Sequence, residues 1–220
     1  MKISKETINT LKVLSAINTN ILIKKGSTLS TISPQKNVMA SVVVAEDFPV
    51  DFAIYDLSEW LGVLSLFSDA EVEFTEKVAT ITEGKSSIRY FAADSSLLVV
   101  PQKEVKFPTA DVEFNLEAAV LQMALRTAGV IRSSDITFEG DGKEIYLVVA
   151  DLKNPNANSF KVSVGETDQE FKANLKVDNL KMAPDSYAVS ISSKKISRFK
   201  STTAANSVYF VACESSSEFS

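Results

Sequence analysis

Apolar residues recur along this chain at two spacings, and the switch between them marks out its elements. Ile8, Leu11, Leu14 and Ile17 stand three apart, one stripe of an α-helix over Ser4–Ile17 with Ser4 as its N-cap. Asn18-Thr19-Asn20 ends that helix. Ile21-Leu22-Ile23 opens a β segment that turns at Lys24-Lys25-Gly26-Ser27, and Val42-Val43-Val44 and Phe52-Ala53-Ile54-Tyr55 read as further strand. Asp56 then caps a second helix, to Phe67, carrying Leu57, Trp60, Leu61, Leu64 and Phe67. Period-two alternation returns in Glu71–Thr75 and Val78–Thr82, a hairpin across Glu76-Lys77 with one wet face, and strands continue to Ala92.

The second half repeats this plan. A helix is predicted over Asn115–Ala128, strands across Asp135–Val177, a short helix after Asp178, and strands from Tyr187 to Cys213. Asp141-Gly142 supplies a tight hairpin turn and Asn154-Pro155-Asn156 another turn. A basic loop, Ser193–Thr203, is predicted between the strands Val189–Ser192 and Val208–Val211. Pro101 and Pro108 bound a stretch whose backbone favours extension. Val99–Asp111 is therefore read as the connector between two similar α+β domains, residues 1–104 and 105–220. A helix-and-sheet unit used twice describes a scaffold that builds a surface.

Composition removes most chemistry from such a scaffold. At 220 residues, each half is long enough to bury its own core. Hydrophobic residues at 45% and charged residues at 23% are ordinary for a soluble globular protein. No apolar run approaches the ~20 residues of a membrane span, and Met1-Lys2-Ile3-Ser4-Lys5 leads into no signal-type core, so a soluble cytosolic protein is expected. The single cysteine, Cys213, excludes an internal disulfide and lies in an apolar run, where it reads as inert filler. The chain has no histidine, which rules out Ser-His and Cys-His catalysis and His-ligated zinc. Its seven glycines form no phosphate-cradling loop. The carboxylate groups Asp69, Glu71, Glu73, Glu76 and Asp135, Glu139, Asp141, Glu144 alternate along strands or flank turns, as solvated faces do. No enzymatic activity, metal or cofactor is predicted.

Charge placement is more telling. The net charge is −5, yet Lys5, Asn9 and Lys12 stand at i, i+4 and i+7 opposite the apolar stripe of the first helix, with Lys2 just before it. Lys24, Lys25, Arg126, Arg132, Lys176 and Lys181 fall in or just after helices or at turns. A basic helix face on an acidic protein can track phosphates without reading bases, and the same spacing also fits a plain solvated face.

The segment Phe52-Ala53-Ile54-Tyr55-Asp56-Leu57-Ser58-Glu59-Trp60-Leu61-Gly62-Val63-Leu64-Ser65-Leu66 resembles the signature of the T4-type bacteriophage DNA polymerase sliding clamps. So do Met1-Lys2-Ile3-Ser4-Lys5, Ala92-Ala93-Asp94 and Asn179-Leu180-Lys181-Met182-Ala183-Pro184, in the same order over essentially the whole chain. The helix at Asn115–Ala128 departs from the family pattern, with Arg126 as its single base, as do the loop Lys194–Lys200 and the tail Ser215–Ser220. The resemblance implies two clamp domains per subunit and a closed ring of three subunits around duplex DNA, with helices lining the hole and sheets forming the outer wall.

By resemblance, Lys2, Lys5, Lys12, Arg126, Arg132, Lys176 and Lys181 would face the duplex. The edge Arg89, Tyr90 and Phe91 of one subunit would meet Phe160 and Val162 of the next, although Tyr90 and Phe91 also fit packing within their own domain. Val99, Val100, Pro101, Phe107, Val189 and Phe210 would form an apolar pocket for a polymerase tail, and the same residues also fit a seal between domains. The implied partners are double-stranded DNA, the viral DNA polymerase, an ATP-driven clamp loader and late transcription factors, in the cytoplasm of an infected bacterial host. The alternative class is a β-rich phage assembly protein that binds no DNA.

Overall fold

The computed structural model describes residues 1–103, 105–154, 156–203 and 206–219. Glu104 of the connector, Pro155 of a predicted turn and Ser220 of the tail lie outside the described residues. The chain divides into two compact units, Met1–Glu104 with Ala205–Ser207, and Val105–Ala204 with Val208–Ser220.

In the first unit, helix α1 spans Lys5–Ile17, and Ser4 caps it by accepting a hydrogen bond from the Thr7 amide. Strands β1 (Ile21–Ile23), β2 (Gly26–Ile32), β3 (Val38–Phe48) and β4 (Phe52–Ile54) follow. Helix α2 covers Leu57–Ser65, and Asp56 accepts from the Ser58 and Glu59 amides, as its position predicts. Strands β5 (Glu71–Phe74), β6 (Val78–Glu83) and β7 (Ser86–Phe91) form an antiparallel meander in that order. The β1–β4 and β2–β3 pairs are also antiparallel. Helix α1 packs on β3 and on α2, burying Leu11, Leu14, Leu57 and Leu64, beside an aromatic cluster of Phe48, Phe52, Trp60, Phe74 and Tyr90 with ring centroids 5.1–6.5 Å apart. Each fully buried large apolar side chain contributes about 1.5–3 kcal/mol.

The α1 stripe differs from the periodic expectation at one residue. Thr7 is buried, while Ile8 is only half-buried. The cause lies outside the helix: Thr7 Oγ1 donates to Glu46 Oε2 on β3, and the Ser4 amide donates to Glu46 Oε1 at 2.5 Å.

In the second unit, strand β8 (Val112–Leu116) precedes helix α3 (Ala118–Ile131). This corrects the predicted helix over Asn115–Ala128. Val112, Phe114 and Leu116 alternate with Glu113 and Asn115, a period-two pattern that continues through Asn115, which pairs with Ala188. The Ala118 amide, at the helix start, donates to Ser186 Oγ at 3.0 Å. Strands β9 (Asp135–Asp141), β10 (Glu144–Val149), β11 (Phe160–Glu166) and β12 (Glu170–Lys176) follow. Gly142, at φ 81°, makes the predicted turn, and Asp141 Oδ1 accepts from the Lys143 and Glu144 amides. The short helix expected after Asp178 is one 3-10 turn, Val177–Asn179, with no side-chain cap.

Strands β13 (Tyr187–Ser192), β14 (Ile196–Ser201), β15 (Ser207–Ala212) and β16 (Glu218–Phe219) complete the chain. The basic loop predicted at Ser193–Thr203 is mostly β14. Lys195 turns the chain at φ 60°, and Ser197 and Phe199 point inward, the serine satisfied by the Val211 carbonyl. One sheet has the order β11-β10-β9-β12-β16, and β8, β13, β14 and β15 pair successively. Helix α3 lies against β9 and β10 through Leu121, Ala124 and Ala128, the small alanines allowing a close approach. Cys213 is buried, which pushes its thiol up to about 12 and keeps it protonated and inert.

Candidate nucleic-acid and partner surfaces

Helix α1 turns Lys5, Asn9 and Lys12 outward because Thr7, Leu11, Leu14 and Ile17 hold its other face in the core. Neither lysine enters an ion pair among the described residues. Lys2 is different: its ammonium lies 2.5 Å from Asp69, and that hydrogen bond raises its pKa, with Glu71 and Glu83 adding to the local negative field. Lys2 is therefore compensated, unlike Lys5 and Lys12.

In the second unit, Arg126 is exposed on α3, with Nε donating to the Gln122 carbonyl at 3.2 Å. Arg132 ends α3 in the left-handed region at φ 57°, exposed, and Lys181 is exposed beyond the 3-10 turn. Lys176 is committed to the fold. It pairs at 2.5 Å with Asp135, a carboxylate buried at 3% exposure, and that hydrogen bond raises the lysine pKa against a smaller opposing effect of burial.

The connector residues divide between the units. In the first, Asn18 Nδ2 donates to the carbonyls of Ile32 and Val99, and the Val99 amide donates to Asn20 Oδ1. These bonds lay Val100 and Pro101 along a cavity of about 460 Å³, with Leu22 and Met39 on its apolar side and Lys24, Lys25 and Lys103 on its lining. In the second unit, Phe107 and Phe210 lie 6.3 Å apart, and the Arg198 guanidinium stands 4.7 Å from the Phe107 ring. Arg198 also donates to Ser190 Oγ and approaches Glu113 at 3.7 Å. Val189 does not join any surface: it is 1% exposed, on β13 between Phe114 and Phe199 of the neighbouring strands. Sequence reasoning missed Leu22, Met39, Asn18 and Arg198, since each reaches its place through a contact distant in sequence.

Two strand edges complete the candidate surfaces. β7 is an outer strand of the β5–β6–β7 meander, and β11 is an outer strand of the five-stranded sheet. On β7, Phe91 is 63% exposed with Arg89 at 5.2 Å from its ring, whereas Tyr90 packs edge-on against Trp60 and its hydroxyl donates to Glu59. Burial, with Glu59 close by, pushes the Tyr90 phenol up to about 12. Phe160 and Val162 on β11 are half-buried, and Lys161 between them bonds Glu139 and lies 3.7 Å from the Tyr146 ring.

A helix-and-sheet unit used twice in one chain is the fold of the sliding clamps. A solved structure of A. fulgidus PCNA, described with the C-terminal region of FEN-1 bound, superposes with a TM-score of 0.69 at 15% identity over 96% of each chain. A family model of the DNA polymerase processivity factor matches residues 4–100, and one of the C-terminal part of the gp45 sliding clamp matches residues 113–215. The sliding clamp of Vibrio phage KVP40 is 32% identical over 97% of this chain and 99% of its own length. That of Escherichia phage RB69 is 30% identical over 99% and 98%. The chain belongs to the phage DNA polymerase sliding clamp family.

Proposed function

We propose that this sliding clamp encircles duplex DNA as a head-to-tail ring of three copies and tethers the replicative polymerase to its template. The observation that carries the proposal is the outward face of α1, where Lys5 and Lys12 enter no ion pair among the described residues, on a chain of net charge −5. Such charges hold phosphates without base readout, so a closed ring can slide. Lys5 and Lys12 are the principal duplex contacts, with Arg126, Arg132 and Lys181 in support. Lys2 and Lys176 act mainly within their own units through Asp69 and Asp135.

The open edges of β7 and β11 suit strand-to-strand addition between copies, with Arg89 and Phe91 meeting Phe160 and Val162, and a heterologous contact of this kind closes into a ring. The two clamp domains are residues 1–104 and 105–220. In the first unit, the cavity beside Val100 and Pro101 receives a polymerase tail. The chain acts as a non-catalytic accessory in the cytoplasm of an infected bacterium, is loaded by an ATP-driven partner, and also assists late viral transcription.

The test is polymerase extension of primed circular DNA with and without this chain and its loader. Long products only in their joint presence are expected. Product lengths indifferent to the clamp would refute the tethering role.

A further inference from the structure

The two units differ in what their long helices present to solvent. On α3 the exposed residues Ala119, Met123, Arg126 and Val130 recur at i, i+4, i+7 and i+11, one stripe opposite the buried Leu121, Ala124 and Ala128. Met123 is 54% exposed and Val130 82%. The outward stripe of a surface helix is ordinarily polar. This one carries Arg126 as its single charge, and the carboxylate nearest to it on the helix is the exposed N-cap Glu117, outside the stripe. Helix α1 shows the opposite pattern, with Lys5, Asn9 and Lys12 outward.

We propose that duplex holding is divided unequally within the subunit: α1 supplies the phosphate contacts through Lys5 and Lys12, while α3 presents Met123 and Val130 to the DNA as an electrostatically quiet surface. This rests on the preceding reading that α1 and α3 face DNA. Each lysine or arginine that reaches a phosphate adds about 0.9 to the slope of log affinity against log salt, so a fourfold rise in salt costs about 3.5-fold per contact. A thioether and a methyl pair add nothing to that slope. The α3 surface offered to the duplex then excludes water without gripping, which keeps the hold loose and the ring mobile. Met123 and Val130 are on this account the residues that set how tightly the clamp holds its track.

The experiment titrates a short fluorescent duplex against the full chain across a salt series. Wild type is compared with Lys5→Glu/Lys12→Glu, Arg126→Glu and Met123→Lys/Val130→Lys, each first shown to melt like wild type. Both substitutions on α3 fall at exposed helical positions where lysine is a good helix former. The α1 double reversal should abolish salt-sensitive binding, and Arg126→Glu should weaken it only slightly. Met123→Lys/Val130→Lys should bind more tightly at low salt and lose about 3.5-fold more affinity per added contact over a fourfold salt rise. An unchanged slope in that variant, or a loss in Arg126→Glu equal to the α1 reversal, would overturn the division of labour. Absence of duplex binding by both wild type and the lysine-enriched variant at the lowest salt would instead overturn the DNA reading on which it rests.

Discussion

Asn18, the residue that closes α1, donates from Nδ2 to the carbonyl of Val99 at 3.1 Å, across 81 positions of sequence. The same amide reaches the Ile32 carbonyl at 2.8 Å, and Asn18 is 3% exposed. A helix C-cap thereby fixes where the connector begins, and with it the Val100 and Pro101 side of the lysine-lined cavity.

Asn18→Ala should cost about 1–3 kcal/mol, because the part-buried carbonyls of Ile32 and Val99 both lose their donor. It should also weaken binding of a polymerase C-terminal peptide, although Asn18 does not line the cavity. Denaturant melts and a peptide titration, with Val100→Asp as the reference for a spoiled cavity wall, check both. Unaltered peptide affinity in both variants would place the docking site elsewhere.

The Thr7–Glu46 contact predicts an acid dependence. Burial pushes the Glu46 pKa up, but hydrogen bonds from Thr7 and Ser4 outweigh it and hold the carboxyl below its ordinary value. The folded state therefore binds this proton less readily than the unfolded chain. The stabilisation is present above the ordinary glutamate range and is lost as pH falls through the folded value. Melts of wild type and Glu46→Gln should converge as the pH is lowered, with the variant the less stable at neutral pH.

Lys176→Ala should destabilise the second unit by about 1–3 kcal/mol, since Asp135 would lose its charged partner while staying buried. Lys181→Ala, at an exposed site without an ion pair among the described residues, should stay within about 0.5 kcal/mol of wild type. Equal melting of the two variants would show that the Asp135 pair contributes nothing to folding.

Tyr90 and Phe91 should separate fold from assembly. Tyr90→Ala removes a ring packed on Trp60 and Phe52 and should lower the melting temperature. Phe91→Asp alters a 63% exposed side chain on an open edge and should leave melting of the isolated subunit unchanged while shifting sedimentation toward the monomer. A Phe91→Asp chain that sediments like wild type at all concentrations would remove β7 from the subunit contact.

What the sequence determined by itself is local. Ser4 and Asp56 cap their helices because a side-chain oxygen two or three residues from an unpaired amide needs no help from the rest of the chain. The Asp141-Gly142 turn is equally self-contained, one residue supplying acceptors and the other the positive φ. The outward placement of Lys5 and Lys12 follows from helical periodicity alone. Only the tertiary structure decided the rest. Asn115 and Leu116 end a strand beside β13 although the sequence predicts the start of a helix there, and Ile196–Ser201 is a strand because β13 and β15 flank it, although the sequence predicts a loop. Thr7 is buried and Ile8 only partly so because Glu46 waits 39 positions away. Lys176 is diverted from solvent by Asp135 across 41 positions, and Val189 is sealed between two strands. Thr7 and Asp135 leave water because a partner distant in sequence replaces it, and such partners are chosen by the fold after local periodicity has placed the elements.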